Sequence, residues 1–180
     1  RGTIINFLNA ILGSRMHKTS SVETIIKFTK PLEGTVLVNI DELPVIQGDV
    51  KSVNDQLKTL VTEPEFQCRG FQKGGYLVTN TFNIIITTNS DSIQFSQDNK
   101  ERFVCTEIDE SKAGNIEYFT MLNKHTHDVN VQMAFYHDMM RRFSDIGTWN
   151  GEKIPMTKTR QNKIIEAMPR LYKYLKEEYI

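Results

Sequence analysis

The sequence predicts an α/β fold in which helices flank a parallel β-sheet. Two apolar segments, 35–40 and 82–88, are rich in β-branched residues and lack clean alternation, as expected for strands covered on both faces. Segments with helical periodicity precede, separate and follow them. Because strands that alternate with helices are typical of layered α/β domains, we expect one central sheet.

The N-terminal part should contain two helices and a short strand. Apolar residues at helical spacing occupy one face of segment 4–12, and Gly13 is a residue type that ends helices in a left-handed conformation. A short strand is expected within 15–19. Ser20 and Glu23 have the capping-box spacing that begins a second helix.

A helix and a β-hairpin are expected between the two main strands. The apolar stripe of this helix consists of Val50, Val53, Leu57, Leu60 and Val61. Pro64 should end the helix. Segments 66–71 and 76–79 then flank a short Gly-containing connection, which is typical of a hairpin.

The last third should begin with a third strand at 103–108 and then become helical. Apolar side chains recur every four residues through 131–143, which indicates one long helix. We expect Met133, Met139 and Met140 on this helix to fill a core, because methionine adapts to irregular apolar gaps.

Composition narrows the function classes. Twenty-two basic residues balance 22 acidic ones, so any nucleic-acid contact must be local.

Cys68 and Cys105 stand alone, which predicts two buried thiols rather than a zinc site or a disulfide framework. His125 and His127 lack a third ligand at defined spacing, so a solvated loop is expected. No signal-type segment or transmembrane-length apolar run is present, which predicts a soluble intracellular protein.

Two adjacent carboxylates, Asp41 and Glu42, follow the first main strand. Ligands of open parallel sheets bind beyond the carboxyl ends of the strands. There, one carboxylate could hold a hydrated Mg²⁺ and the other could polarise an attacking water, as in a Walker B motif. Acidic residues also follow strands in ordinary turns, so the pair alone leaves both interpretations open.

Asn89 and Arg102 are the next polar candidates. Asn89 follows the second main strand, where its amide could hydrogen-bond a γ-phosphate and the attacking water as a sensor-1 residue. Arg102 precedes the third expected strand and could reach the nucleotide of a neighbouring subunit as an arginine finger. Taken singly, an Asn after a strand is commonly a turn residue and an Arg is commonly a surface residue.

The hairpin could contact a nucleic-acid backbone. Its tip presents Lys73 beside flexible glycines, and Arg69 lies on its first arm. A positive tip can grip a phosphate, although a solvent-exposed turn with a solubilising lysine is the simpler interpretation of Lys73 alone.

The ordered set of these features resembles superfamily 3 helicases. A strand ending in Asp41-Glu42, a helix with Lys58, a hairpin tipped by Lys73, a strand ending before Asn89, and Arg102 ahead of a final strand occur in that order in the family. The likeness is in particular to the poxvirus-type primase-helicases of large DNA viruses and to relatives in phages and other mobile elements. It covers nearly the whole chain.

The resemblance implies an AAA+-like P-loop NTPase core with a hairpin inserted before sensor 1 and a helical C-terminal extension. The core would span 1–110 and the extension 111–180. The family's phosphate-binding loop reads G-x-x-x-x-G-K-S/T, and only Arg1, Gly2 and Thr3 align with its end, with Arg1 in place of lysine. We expect these three residues to contact the nucleotide, and we expect the chain to begin inside the loop, without the first strand of the core.

The resemblance also assigns roles to individual residues. Asp41 and Glu42 become Walker B, with Asp41 as the Mg²⁺ ligand. Asn89 becomes motif C, and Arg102 becomes the arginine finger. The DNA-contacting residues implied for the helix and hairpin of motif B′ are Lys58, Arg69 and Lys73.

The implied function is an ATP-dependent DNA helicase motor that acts in DNA replication. It would hydrolyse ATP with Mg²⁺ at the interfaces of a homo-oligomeric ring, expected to be hexameric, and translocate on single-stranded or forked DNA. No membrane partner is expected, and a viral protein would work in the host cytoplasm or at a viral replication site. The resemblance leaves open whether a primase domain precedes this chain.

Two alternatives remain from the sequence. A hydrolysis-deficient AAA+ module for DNA binding or ring assembly is suggested by Arg1. A non-helicase AAA+ initiator or loader would share Asp41, Glu42 and Asn89 but would not need a charged hairpin tip. The upstream sequence distinguishes the first alternative, and charge reversal at Lys73 distinguishes the second.

Overall fold

The computed structural model describes residues 2–42, 50–70, 74–88, 104–146 and 154–166. Within these ranges, three parallel strands form the central sheet: β1 (Met16–Thr19), β2 (Leu37–Asp41) and β5 (Asn83–Thr87). Their order is β1-β2-β5, so the carboxyl ends of all three meet at one edge. The predicted α/β fold with a parallel sheet is confirmed.

The N-terminal elements match the prediction. Helix α1 (Gly2–Leu12) ends where Gly13 adopts a φ of 55°, a left-handed conformation that favours glycine. A 3-10 turn leads from Gly13 into β1, and α2 (Val22–Lys27) follows that strand. The connection from α1 to β1 is therefore short, which keeps the start of the helix close to the end of the strand.

A helix and an antiparallel hairpin separate β2 from β5, as predicted. Helix α3 (Val50–Thr62) precedes β3 (Glu65–Cys68) and β4 (Tyr76–Thr79). The Asn80 side-chain amide donates hydrogen bonds to the carbonyls of Leu60 at 2.6 Å and Glu63 at 3.0 Å. These bonds satisfy carbonyl groups at the C-terminal end of α3 and hold the hairpin against it.

The main hydrophobic core lies on one face of the parallel sheet. Val38 and Ile40 of β2 are fully buried there, and Phe66 packs edge-to-face on Phe82 with ring centroids 5.5 Å apart. The buried members are Ile25, Leu32, Val38, Ile40, Leu57, Phe66, Cys68 and Phe82. Because side chains alternate along a strand, Asn39 lies on the opposite face.

In the described residues after the sheet there are three helices: α4 (Ile116–Thr126), α5 (Val129–Ile146) and α6 (Lys158–Glu166). Phe7 of α1 packs edge-to-face on Phe135 of α5, with ring centroids 5.1 Å apart. No described side chain of α5 is fully buried. The expectation that its methionines fill a core is wrong for Met133, Met139 and Met140, which are exposed because the packing on α5 covers little of its surface.

The predicted third strand is also wrong. Residues 104–108 have no strand conformation, and Val104 and Ile108 are 52% and 61% exposed. A strand needs a neighbour for its N–H and C=O groups, and none of the described strands pairs with this segment. Within the described ranges, no helix is long and apolar enough to cross a membrane.

Candidate functional site

A polar cavity of about 580 Å³ opens at the carboxyl edge of the parallel sheet. It lies between the ends of the strands and the first two turns of α1. The lining residues are Gly2, Ile5, Asn6, Lys18, Thr19, Ser20, Asn39, Asp41 and Thr87. Since open parallel sheets bind ligands at this edge, the cavity is the candidate functional site.

Asp41 is the acidic residue of this cavity. It is the last residue of β2, its pairing partner on β5 is Thr87, and its side chain is exposed. One carboxylate oxygen, Oδ1, accepts a hydrogen bond from the Thr87 hydroxyl at 2.8 Å. A carboxylate has further lone pairs on both oxygens, so Asp41 retains capacity for a ligand.

Asn39 connects this pair to the interior of the sheet. Its side chain is only 2% exposed, although it stands in an otherwise apolar strand. The amide nitrogen donates hydrogen bonds to the Ile85 carbonyl and to the Thr87 hydroxyl oxygen, both at 3.3 Å. Asn39, Thr87 and Asp41 therefore form a chain of hydrogen bonds that runs from the buried sheet to the cavity.

Glu42 follows Asp41 in a strained backbone conformation. Its φ of 53° lies in the left-handed region, which costs a non-glycine residue on the order of 1–3 kcal/mol. Its backbone N–H donates to the Thr87 carbonyl at 2.7 Å, which holds Glu42 against β5. Asp41 lines the cavity, whereas Glu42, the next residue along the chain, does not.

Two features of the cavity, unlike Asp41, favour anions. Gly2 lines the cavity at the N-terminus of α1, where backbone N–H groups have no partner within the helix. Lys18 brings an ammonium group, which donates to Asn6 Oδ1 at 3.3 Å. Thr3 lies in the first turn of α1 and is half-buried, but it does not line the cavity.

The oxygen groups of the cavity fit a hydrated Mg²⁺ bound together with phosphate. Mg²⁺ in proteins is usually held by one or two carboxylates, water and substrate phosphates rather than by an all-protein cage. The lining provides the Asp41 carboxylate and the hydroxyls of Thr19, Ser20 and Thr87. Among the described residues no group of three or more His, Cys, Asp or Glu side chains could hold a metal. With one carboxylate, the lining would leave most positions around such an ion to hydroxyl oxygens, water and phosphate.

Of the three basic residues expected to contact DNA, Lys58 and Arg69 are described, and neither lines the cavity. Lys58 is half-buried on α3, whose neighbour Leu57 belongs to the core on the other face of the sheet. Arg69 is exposed directly after β3, and its guanidinium donates to Gln67 Oε1 at 2.8 Å. The structure thus separates the hairpin side of the molecule from the carboxylate side.

The base of the hairpin is fixed to the segment that follows α2. The Thr29 hydroxyl donates to the Gln67 carbonyl and accepts from the Arg69 backbone N–H. Lys30 bonds Glu33 and Tyr76 and lies 5.2 Å from the centre of the Tyr76 ring. The hydrogen bond to Glu33, followed by that to Tyr76, raises the pKa of Lys30 and keeps its ammonium charged.

Several predicted site residues lie outside the described part of the chain. These are Arg1, Lys73, Asn89 and Arg102. His125 and His127, for which the sequence predicts a solvated loop, are instead exposed at the C-terminal end of α4. Of the two free thiols, Cys68 is buried as expected, whereas Cys105 is only half-buried.

The sequence did not single out Lys18, Asn39 or the hydroxyl of Thr87 as site residues. Asn39 had a detectable signal, because a polar residue inside an apolar strand must find a hydrogen-bond partner when buried. Lys18 had no such sequence signal, since a lysine on an edge strand is an ordinary feature of soluble proteins.

A second cavity, of about 410 Å³, lies beside α4. Its lining residues are Gly114, Ile116, Phe119, Thr120 and Asn123. None of these side chains is ionisable, so this cavity lacks groups for acid–base or metal chemistry.

The fold is shared with solved structures of the NrS-1 C terminal region. An apo structure of this region superposes with a TM-score of 0.67 at 15% identity, over 98% of this chain and 42% of that one. Its A form apo structure gives a TM-score of 0.65 at 15% identity, over 98% and 41% of the two chains. At this identity the likeness concerns the fold, and this chain spans about two-fifths of the length of those structures.

No curated protein matches the chain. A sequence family described as a family of unknown function, DUF5906, matches residues 1–102. This match covers α1, the parallel sheet, the hairpin and the cavity with Asp41. The chain belongs to the DUF5906 family.

Proposed function

We propose that this chain is part of an ATP-driven DNA helicase motor of the superfamily 3 type that acts in DNA replication. The observation that carries the proposal is the position of Asp41. It ends a central parallel strand, bonds Thr87 of the neighbouring strand, and lines a cavity shared with the N-terminus of α1. This is where an α/β nucleotide hydrolase requires its metal-binding carboxylate.

ATP would bind with its phosphates between α1 and the strand ends. The first-turn N–H groups of α1 and the Lys18 ammonium favour negative charge there. Asp41 would hold Mg²⁺ through oxygen, and the bound ion would neutralise charge on the phosphates. Arg1, Gly2 and Thr3 would contribute the end of a phosphate-binding loop.

Hydrolysis would depend on three further residues. Glu42 would polarise the attacking water, and its left-handed conformation turns the chain immediately beside Asp41. Asn89 would hydrogen-bond the γ-phosphate and that water. Arg102 would act on the nucleotide of the next subunit, which requires a homo-oligomeric ring, proposed to be a hexamer.

DNA would be bound on the hairpin side of each subunit. Lys73 at the tip would contact a backbone phosphate of single-stranded or forked DNA, with Arg69 and Lys58 nearby in sequence. The hydrogen bonds of Thr29 fix the base of the hairpin to the α/β core. A movement of the core with nucleotide state could therefore be transmitted to the tip.

The test is the substitution Glu42→Gln in the full-length protein that contains this chain. The amide keeps the shape of the side chain but cannot accept a proton, so ATP binding should persist while turnover falls by roughly a hundredfold or more. Fluorescence binding of an ATP analogue and steady-state phosphate release measure the two quantities. Hydrolysis within twofold of the wild-type rate would remove Glu42 from the proposed role.

A further inference from the structure

We propose that Thr87 is a positioning residue for the metal-binding Asp41 carboxylate, and that buried Asn39 sets the direction of its hydroxyl hydrogen. This inference rests on the proposed function, because it concerns the same Mg²⁺–nucleotide site. It assigns a role to two residues that the nucleotide-binding motifs leave unused.

The pairing of the strands places these side chains together. Asn39 is opposite Ile85, and Asp41 is opposite Thr87, in the parallel register of β2 and β5. Residues two apart in a strand lie on the same face, so the three polar side chains lie on the side of the sheet that lines the cavity.

The orientation of the Asn39 amide is fixed by its surroundings. The Ile85 carbonyl can only accept a hydrogen bond, so the side-chain nitrogen of Asn39 must face it, at 3.3 Å. The same nitrogen has a second hydrogen, which reaches the Thr87 hydroxyl oxygen at 3.3 Å. Thr87 therefore accepts a bond from the interior of the sheet.

The Thr87 hydroxyl has one hydrogen to donate. Among the described residues, its acceptors are Asp41 Oδ1 at 2.8 Å and the Ile40 carbonyl at 3.5 Å. The carboxylate is both nearer and charged, and bonds to charged acceptors are stronger. The hydrogen consequently points to Asp41, which restrains the rotation of a carboxylate that is otherwise exposed at the cavity.

A restrained carboxylate would bind the Mg²⁺–nucleotide with less loss of side-chain freedom. Removing the Thr87 hydroxyl should therefore weaken the metal-dependent part of nucleotide binding and leave the metal-independent part almost unchanged. A bond to a charged group corresponds to about a tenfold to hundredfold change in an equilibrium constant.

The experiment uses the full-length protein with Thr87→Val, which keeps the β-branched shape, and Thr87→Ser, which restores the hydroxyl. The control is Thr62→Val, which removes an exposed hydroxyl bonded within α3. A fluorescent ATP analogue is titrated at fixed Mg²⁺ concentrations and without Mg²⁺, and thermal unfolding is measured for each variant.

The expected result for Thr87→Val is a rise of about tenfold or more in the Mg²⁺ concentration needed for half-maximal nucleotide binding. Thr87→Ser and Thr62→Val should resemble the wild type. Unchanged Mg²⁺ dependence in Thr87→Val would overturn the inference, as would an equal loss of stability and of Mg²⁺-free binding in both Thr87 variants. A wild-type protein without any Mg²⁺-dependent nucleotide binding would instead refute the proposed function, and the inference with it.

Discussion

The Thr29 hydroxyl oxygen accepts a hydrogen bond from the backbone N–H of Arg69 at 2.8 Å. The same hydroxyl donates to the Gln67 carbonyl, and Thr29 is only 5% exposed. One side chain thus satisfies two backbone groups of the hairpin and connects the hairpin to the α/β core.

Thr29→Val should lower the free energy of unfolding by about 1–3 kcal/mol, because it removes two part-buried hydrogen bonds, each worth about 0.5–1.5 kcal/mol. Thr29→Ser should recover most of that loss, since the hydroxyl is retained. Urea denaturation monitored by circular dichroism measures both variants. Equal stabilities for the Val and Ser variants would show that the hydroxyl is not what holds the hairpin.

Burial lowers the pKa of His17 on β1 below its ordinary value. The folded state therefore favours the neutral imidazole, and the unfolded chain binds more protons between the folded pKa and the unfolded value of about 6.5. Stability contributed by this group is present above the unfolded pKa and is lost as pH falls through that window. The free energy of unfolding should therefore rise as pH increases up to and through about 6.5, and His17→Gln should reduce that rise.

Ile40→Ala should destabilise the fold by about 2–5 kcal/mol, because Ile40 is fully buried in the main core. Val61→Ala is the matched control, since Val61 is 45% exposed on α3 and its truncation should change stability by about 0.5 kcal/mol or less. Urea denaturation of the two variants checks the difference. If Ile40→Ala lowers the free energy of unfolding as little as the control does, Ile40 is not part of the main core.

Lys73→Ala in the full-length protein should leave ATP turnover without DNA largely intact, because Lys73 is proposed to hold DNA rather than nucleotide. Stimulation by DNA and strand separation should be lost. Each phosphate contact adds about one unit to the log–log salt slope of DNA binding, so that slope should also decrease. Strand separation at the wild-type rate would favour the initiator or loader alternative over the helicase.

Arg102→Ala should show the opposite behaviour, with DNA bound and hydrolysis lost. If Arg102 acts on a neighbouring subunit, mixing Arg102→Ala with Glu42→Gln subunits should restore part of the activity, because some interfaces then combine an intact Glu42 with an intact Arg102. Phosphate release from mixtures at varied ratios measures this effect. Strictly additive loss in the mixtures would argue for sites contained within one subunit.

The local pattern of the sequence determined most of the elements around the candidate site. Helical spacing and Gly13 predicted α1 and its end, and continuous apolar segments predicted β2 and β5. The adjacent pair Asp41 and Glu42 was identified at the end of β2 because an acidic pair after a buried strand is visible in the sequence itself. These features depend on residues that are close together in the sequence, so they can be recognised without the tertiary structure.

Only the tertiary structure decided what each element packs against. Segment 104–108 is apolar enough for a strand but lacks a described partner, and α5 has a helical apolar pattern yet leaves Met133 and Met140 exposed. The series of hydrogen bonds from Asn39 through Thr87 to Asp41 joins residues up to 48 positions apart in the sequence. Strand register alone brings them within hydrogen-bond distance, because pairing between β2 and β5 is set by the packing of the whole sheet rather than by either strand.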